Sequence, residues 1–323
     1  MKALVTGAAG FIGSSIARRL LDDGHEVIGI DGFTEYYHEP LKRRNAAALA
    51  GDGFRLIESD LLEVDLVELL HDVEVVFHEA GQPGVRGSWG SGFEPYISRN
   101  IAATQALLEA ARTAPKLRRF VGASSSSVYG EAESYPTRES DRPQPKSPYG
   151  VTKLAAEHLT TLYGRNFGVP TTSLRYFTVY GPRQRPDMAF TRFLRAAIAG
   201  DPIRVFGSGE QIRDFTYIDD IVEANLRAAT VEHDAGSVFN VAGGGQVSVN
   251  EVLDSIGTLT GRPLEVERVG VATGDVFRTA GATELIEEAL AWRATTSVAD
   301  GLRNQYEWAV EAAPVLATAT DWN

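Results

Sequence analysis

Residues 2–13 read Lys2-Ala3-Leu4-Val5-Thr6-Gly7-Ala8-Ala9-Gly10-Phe11-Ile12-Gly13. The first five form a short apolar strand, and three glycines at spacings of three follow it. From Ser14 to Asp23, Ile16, Leu20 and Leu21 recur at helical spacing, and His25 to Asp31 is a second strand closed by an acid. Strand, glycine turn, helix and strand in that order give a glycine motif its meaning. Gly7 permits a tight turn, Gly10 lets backbone approach a pyrophosphate, and Gly13 lets helix and strand pack closely. A pyrophosphate would sit at the positive end of the helix. Asp31, about 20 residues on, can accept from an adenosine ribose hydroxyl and would repel a 2′-phosphate, which favours NAD over NADP.

The alternation continues outward from this unit. Strands are predicted at Phe54 to Glu58, Val73 to His78, Arg119 to Ala123 and Thr171 to Tyr176, and helices at Asn100 to Arg112 and Tyr149 to Asn166. Such alternation predicts an α/β fold, a Rossmann-type doubly wound parallel sheet covered on both faces, with ligands gathered at the carboxyl ends of the strands. After Phe177 the rhythm changes to Pro/Arg- and Gly-rich loops between helices at Phe190 to Ala199, Asp219 to Thr230 and Ser248 to Thr260. Ser248 and Glu251 make a capping box. The expected organisation is a nucleotide-binding domain over 1–177, with about 214–242 returning to it. A smaller mixed α/β substrate lobe follows over 178–310, and then a loose Ala/Thr-rich tail over 311–323.

Chemistry is suggested by Tyr149-Gly150-Val151-Thr152-Lys153, read with the serine run Ser124 to Ser127 that ends a predicted strand. Residues four apart on a helix share a face. A phenol has a pKa of about 10, and a neighbouring ammonium favours its ionised form. With a serine holding the same substrate oxygen, Ser125, Tyr149 and Lys153 could move a proton on and off an alcohol.

Composition limits the alternatives. A net charge of −12 argues against a general nucleic-acid surface. With no cysteine, disulfides, thiolate metal sites and cysteine nucleophiles are excluded, and a reducing, cytoplasmic setting is expected. The six histidines show no ligand spacing, so no metal is assigned. No apolar run reaches the ~18 residues of a membrane span, and no leader is expected ahead of Met1.

Together these motifs resemble the extended short-chain dehydrogenase/reductase family, and within it the NAD-dependent nucleotide-sugar 4-epimerases. The resemblance rests on the glycine motif, on Ala123 to Gly130, on Tyr149/Lys153 and on Arg213-Asp214-Phe215-Thr216-Tyr217-Ile218-Asp219-Asp220. It implies a tightly held NAD, reduced and reoxidised in each turnover, and a homodimer joined through the helices at 100–112 and 149–166. It casts Ser125 as the partner of the sugar 4-hydroxyl, Tyr149 as the base and Lys153 as a ligand of the nicotinamide ribose. Asp60 and Leu61 would contact adenine, and Phe11, Ile12, Ala80, Gln82 and Tyr176 complete the cofactor set. Arg86, Arg192, Arg213 and Asp275 fall to the nucleotide-sugar side. Two positions depart from the pattern: Gly81, where alanine is common, and Glu79, where an apolar residue is usual. Glu79 is expected to point outward.

The stretch Thr178 to Ala189 is similar to that of UDP-glucuronate 4-epimerases, which implies interconversion of UDP-glucuronate and UDP-galacturonate through a 4-keto intermediate. A sugar carboxylate needs donors, and Ser126, Ser127, Thr178 and Arg185 could supply them. Dehydratases of this family usually carry Asp-Glu where Ser126-Ser127 stand, and decarboxylases a Glu at Ser127, so both readings are disfavoured. UDP-glucose 4-epimerase remains the first alternative, and an NAD-bound sensor or scaffold the non-enzymatic one.

Overall fold

The computed structural model describes residues 1–243, 245–270 and 276–319. In chain order the strands are β1 (Lys2–Thr6), β2 (Glu26–Asp31), β3 (Phe54–Glu58), β4 (Val75–His78), β5 (Arg119–Ser125) and β6 (Thr171–Tyr176). They continue as β7 (Thr178–Tyr180), β8 (Ile203–Phe206), β9 (Ile212–Tyr217), β10 (Ser237–Val241), β11 (Gln246–Ser248) and β12 (Val266–Val269). Seven of them form one sheet, in the order β10-β6-β5-β4-β1-β2-β3, and every pairing in it is parallel.

Alternation along each strand explains why both faces are covered. Ala3 and Val5 of β1 join Phe77 of β4 and Val121 of β5 in one core. Leu4, Val76 and Phe120 point the other way and pack with Leu107 and Leu108 of the helix Ala103–Ala111. A strand buried on both faces has to be apolar almost throughout, which is the composition of β1 and β4. The chain runs from β1 outward through β2 and β3, then returns to place β4 on the other side of β1. The crevice therefore opens at the carboxyl ends of β1 and β4, where the winding direction reverses.

The second lobe holds the three-stranded sheet β11-β9-β7 and the pair β12-β8. It is not a separate core: Phe190, Phe215, Leu253 and Leu302 belong to the same apolar cluster as Ala3 and Val5. The returning segment begins at Ile218 rather than at 214, because β9 pairs with β7 in the smaller sheet. From there the helix Ile218–Thr230 leads to β10, the seventh strand of the large sheet.

The end of the chain corrects an expectation. Ala313–Ala317 is helical, and Ala309, Ala312, Leu316 and Ala319 are buried at helical spacing. Arg195 donates to the carbonyl of Ala319 at 2.7 Å. The segment read as a loose tail is docked through 319 by an alanine/leucine stripe, which composition alone does not distinguish from a linker. The helix over 100–112 also differs. It starts at Glu94 and passes through a π-helical turn, Ile97–Ala102, before Ala103–Ala111.

Candidate active site

One cleft at the carboxyl end of the large sheet is lined by all of Gly7, Gly10, Phe11, Ile12, Gly13, Asp31, Asp60, Leu61, Ala80, Gln82, Tyr149, Lys153 and Tyr176. The glycine turn is built as its sequence requires. Gly7 has φ +68, and a Cβ on Gly13 would stand 2.3 Å from the carbonyl oxygen of Gly7. Gly10 caps the helix Phe11–Asp22 without a side-chain bond, so the helix N-terminus faces the cleft with backbone donors. Asp31 accepts from the N–H groups of Ala9 (3.0 Å) and Phe33 (2.8 Å), which fixes its carboxylate at the rim. These features fit a dinucleotide: a Cβ-free approach, a positive helix end for the phosphates and an acid for a ribose.

The cleft has two chemically different ends. Asp31 and Asp60 follow β2 and β3 on one side of β1; Glu79, Lys153 and Tyr176 lie toward β4, β5 and β6 on the other. At the second end, Tyr149 and Lys153 sit one turn apart on the helix Pro148–Phe167, which Ser147 caps by accepting from the Gly150 N–H. Lys153 donates to the carbonyl of Ala123 on β5. Burial pulls its ammonium down to about 8, while Glu79 and Glu157 hold it up. Tyr149, by contrast, is raised by burial, and a Ser125 hydrogen bond and the charge of Arg185 oppose the rise. The pull toward phenolate expected from Lys153 is thus exerted here by Ser125 and Arg185.

Glu79 does not point outward. It lines the cleft, and its Oε1 accepts from the hydroxyl of Tyr176 at 2.8 Å; that hydroxyl in turn accepts from Asn225 at 2.9 Å. Burial raises the Glu79 carboxyl to about 7, against the hydrogen bond from Tyr176 and the charge of Lys153. Gly81 has a simple reason to lack a side chain: a Cβ would meet Asn100 Oδ1 at 2.8 Å.

The expected sugar-side residues are less tightly gathered. Ser125 reaches Tyr149 and also accepts from the Ser127 N–H at 3.1 Å. Ser126 and Ser127 begin the short helical turn that follows β5, and Thr178 is partly exposed at the start of β7. Arg185 lines the cleft and is held by Asp187 through two bonds of 3.0 and 2.9 Å. Arg86 and Arg192 converge on the ring of Phe206, at 3.9 and 5.8 Å from its centroid. Arg213 donates to the carbonyls of Ile212 and Phe277 at 3.0 and 3.1 Å. Asp275 lies outside the described residues. Among the described residues, no group of three His, Asp or Glu is placed to hold a metal.

Several lining residues escaped sequence reasoning. Asn100, turned inward by the π-helical turn, accepts from the Gln82 N–H (2.7 Å) and donates to the Gln82 carbonyl and to Thr152. Tyr36, Tyr37, Lys42 and Arg99 also face the cleft. An amide directly ahead of the apolar run Ile101-Ala102-Ala103 was the available hint of Asn100.

Comparison with known proteins decides the family. A model described as the NAD dependent epimerase/dehydratase family matches residues 3–242. The chain belongs to the NAD dependent epimerase/dehydratase family. Among family members, a Bacillus subtilis protein named as an uncharacterized UDP-glucose epimerase, YtcB, is 44% identical over 307 residues, covering 94% of this chain and 96% of its own. A probable UDP-glucuronate 4-epimerase of Rhizobium meliloti is 37% identical over 332 residues, covering 95% and 96%. The crystal structure of the Bacillus cereus UDP-glucuronic acid 4-epimerase with UDP-glucuronic acid and NAD matches with a TM-score of 0.93 and 42% identity, over 96% of this chain and 99% of that one.

Proposed function

We propose that this epimerase/dehydratase family member is an NAD-dependent 4-epimerase that interconverts UDP-glucuronate and UDP-galacturonate. The observation that carries the reading is the joining of Tyr149, Lys153 and Ser125 to a dinucleotide-shaped cleft. The likeness to UDP-glucuronic acid 4-epimerases over nearly the whole chain supports it. Tyr149 accepts the proton of the sugar O4, and Ser125 holds that same oxygen. NAD, which Gly7, Gly10, Gly13, Asp31 and Lys153 would hold, would supply a reversible hydride acceptor for the sugar C4. Lys153, fixed to Ala123 on β5, would bind the nicotinamide ribose. Tyr149 then donates its proton back to O4.

The carboxylate assignment rests on the hydroxyls of Ser126, Ser127 and Thr178, with Arg185 at the rim. The ketone would be a β-keto acid, and a carboxylate held near the ring plane resists loss of carbon dioxide, because the breaking bond lies off the carbonyl π system. Arg86, Arg192 and Arg213 are assigned to the nucleotide diphosphate side. UDP-glucose 4-epimerisation is the second reading, favoured by the name of the Bacillus subtilis relative. Offering UDP-glucuronate and UDP-glucose separately, with product separation, decides between them. Sites built for a polar group reject analogues that lack it, so we expect at least ~100-fold preference for UDP-glucuronate in kcat/KM. Equal turnover of UDP-glucose would refute the substrate assignment and leave the chemistry standing.

A homodimer is part of the proposal. Ile97, Val151 and Leu162 are exposed apolar side chains on the two helical segments expected at the interface. Val151 and Leu162 are three turns apart on one helix and so share a stripe. Sedimentation of the native chain and of Val151→Glu/Leu162→Glu tests it, with a monomeric native chain as the contrary result. No helix among the described residues is long and apolar enough to cross a membrane. The cytoplasm is the proposed location, in keeping with a chain without cysteine.

A further inference from the structure

We infer that the Glu79 carboxylate sets the redox balance of the bound cofactor, holding NAD in its oxidised, cationic form between turnovers. The inference rests on NAD as the resident cofactor. Its first support is the polarity of the cleft. Asp31 marks the adenosine end, beyond β2, so the nicotinamide belongs at the opposite end, with Tyr149. That placement is also demanded by the chemistry: hydride leaves the same carbon whose oxygen gives its proton to Tyr149, so ring and phenol must flank one atom.

Among the described residues, the acids that line the cleft are Asp31, Asp60 and Glu79, and of these Glu79 stands at the nicotinamide end. It is held there. Tyr176 donates to it at 2.8 Å, and Asn225 donates to Tyr176 at 2.9 Å, so the carboxylate is not free to swing out. Two cations act at this end: Lys153, whose ammonium is fixed to the Ala123 carbonyl, and Arg185, whose charge reaches Tyr149 and is paired by Asp187. Glu157, one turn further along the helix, is committed to Arg175 and Ser124. Without Glu79, a pyridinium ring would meet the Lys153 cation, and the nearby acids Glu157 and Asp187 are already paired with arginines.

Hydride transfer changes the ring's charge. The C4–H bond of the sugar breaks, its electron pair and hydrogen pass to the nicotinamide, and the ring goes from cationic to neutral. The O4 proton passes to Tyr149, which balances the step. A fixed anion nearby stabilises the cationic form alone. It therefore favours return of the hydride and shortens the life of the ketone. For a β-keto acid that is a useful bias, since time spent as the ketone is time available to lose carbon dioxide.

The test reads the cofactor rather than turnover. The purified protein, Glu79→Gln and Glu79→Leu are each equilibrated near pH 8 with an equimolar mixture of NAD and NADH until the bound ratio is constant. Each is then desalted and denatured, and the released cofactors are quantified. Gln keeps the acceptor for Tyr176 and loses only the charge; Leu is the residue type usual at this position in the family. We expect the bound NAD:NADH ratio to fall at least ~10-fold in both variants, one pKa unit's worth of charge interaction. We also expect a larger reduced share, seen near 340 nm, in the variants as purified. An unchanged ratio overturns the inference. So does an equal loss of both forms, which would make Glu79 a structural anchor only. A native protein that binds neither form would instead overturn the proposed function.

Discussion

Removing the Glu157 side chain should cost this protein far more stability than an ordinary surface change. Glu157 accepts from Arg175 Nε at 2.8 Å, from Arg175 Nη2 at 2.6 Å and from Ser124 Oγ at 2.6 Å. The two charged side chains are only 3% and 5% exposed. Glu157→Ala leaves a buried guanidinium with the Tyr129 hydroxyl at 2.6 Å and the Glu139 carbonyl at 3.3 Å as its remaining acceptors. Breaking one side of a buried pair costs about 3–5 kcal/mol, mostly because the survivor stays desolvated. Replacing both partners with apolar residues, as in Glu157→Leu/Arg175→Met, removes that penalty and should recover most of the loss. Reversible urea unfolding, followed by two probes, measures each variant. The network also braces β5 just ahead of Ser125, so Glu157→Ala should lose turnover while keeping much of its NAD. A single variant within about 1 kcal/mol of the native chain would refute the reasoning. So would a double variant less stable than Glu157→Ala.

Further expectations concern the base, the cofactor and a buried histidine. Tyr149→Phe should retain NAD and lose at least ~100-fold in epimerisation rate, the scale of a positioned acid–base group; near-normal turnover sinks the assignment. Asp31→Ala should weaken NAD retention and admit NADP, because both the ribose acceptor and the repulsive charge go; competition between the two cofactors on each protein checks it. His78 sits between Thr6 and Thr104, at 2.9 Å from each hydroxyl, and burial lowers it to about 3 from 6.5. The unfolded chain therefore binds the extra proton first, and the stability tied to neutral His78 is present above about pH 6.5 and lost as pH falls toward 3. Unfolding free energies from urea titrations should show an added slope of about 1.4 kcal/mol per pH unit in that window, absent in His78→Gln. Identical slopes would assign the acid loss to carboxylates instead.

What could be read from the sequence and what could not divide along a physical line. Gly7, Gly10, Gly13 and Asp31 were legible because their roles belong to one local strand–turn–helix unit, whose backbone geometry admits few residues. Tyr149 and Lys153 were legible because a helix fixes the distance between positions four apart. The π-helical turn breaks that rule: its extra residue rotates everything before it relative to the 3.6-residue repeat, and Asn100 turns inward where simple periodicity has no reason to put an amide. Glu79 fails for a different reason. It lies one residue past β4, where strand alternation has ended, and its partner Tyr176 is 97 residues away. An acid beside a run of buried residues reads as solvent-facing, because burying a lone carboxylate is costly. Here a phenol, an amide and an ammonium from three other elements meet that cost, and none of them is near it in the chain. A charge that survives burial only through such distant partners is one the local sequence argues against, which is why an unexpected acid in a cofactor cleft is worth testing for function before it is set aside as surface.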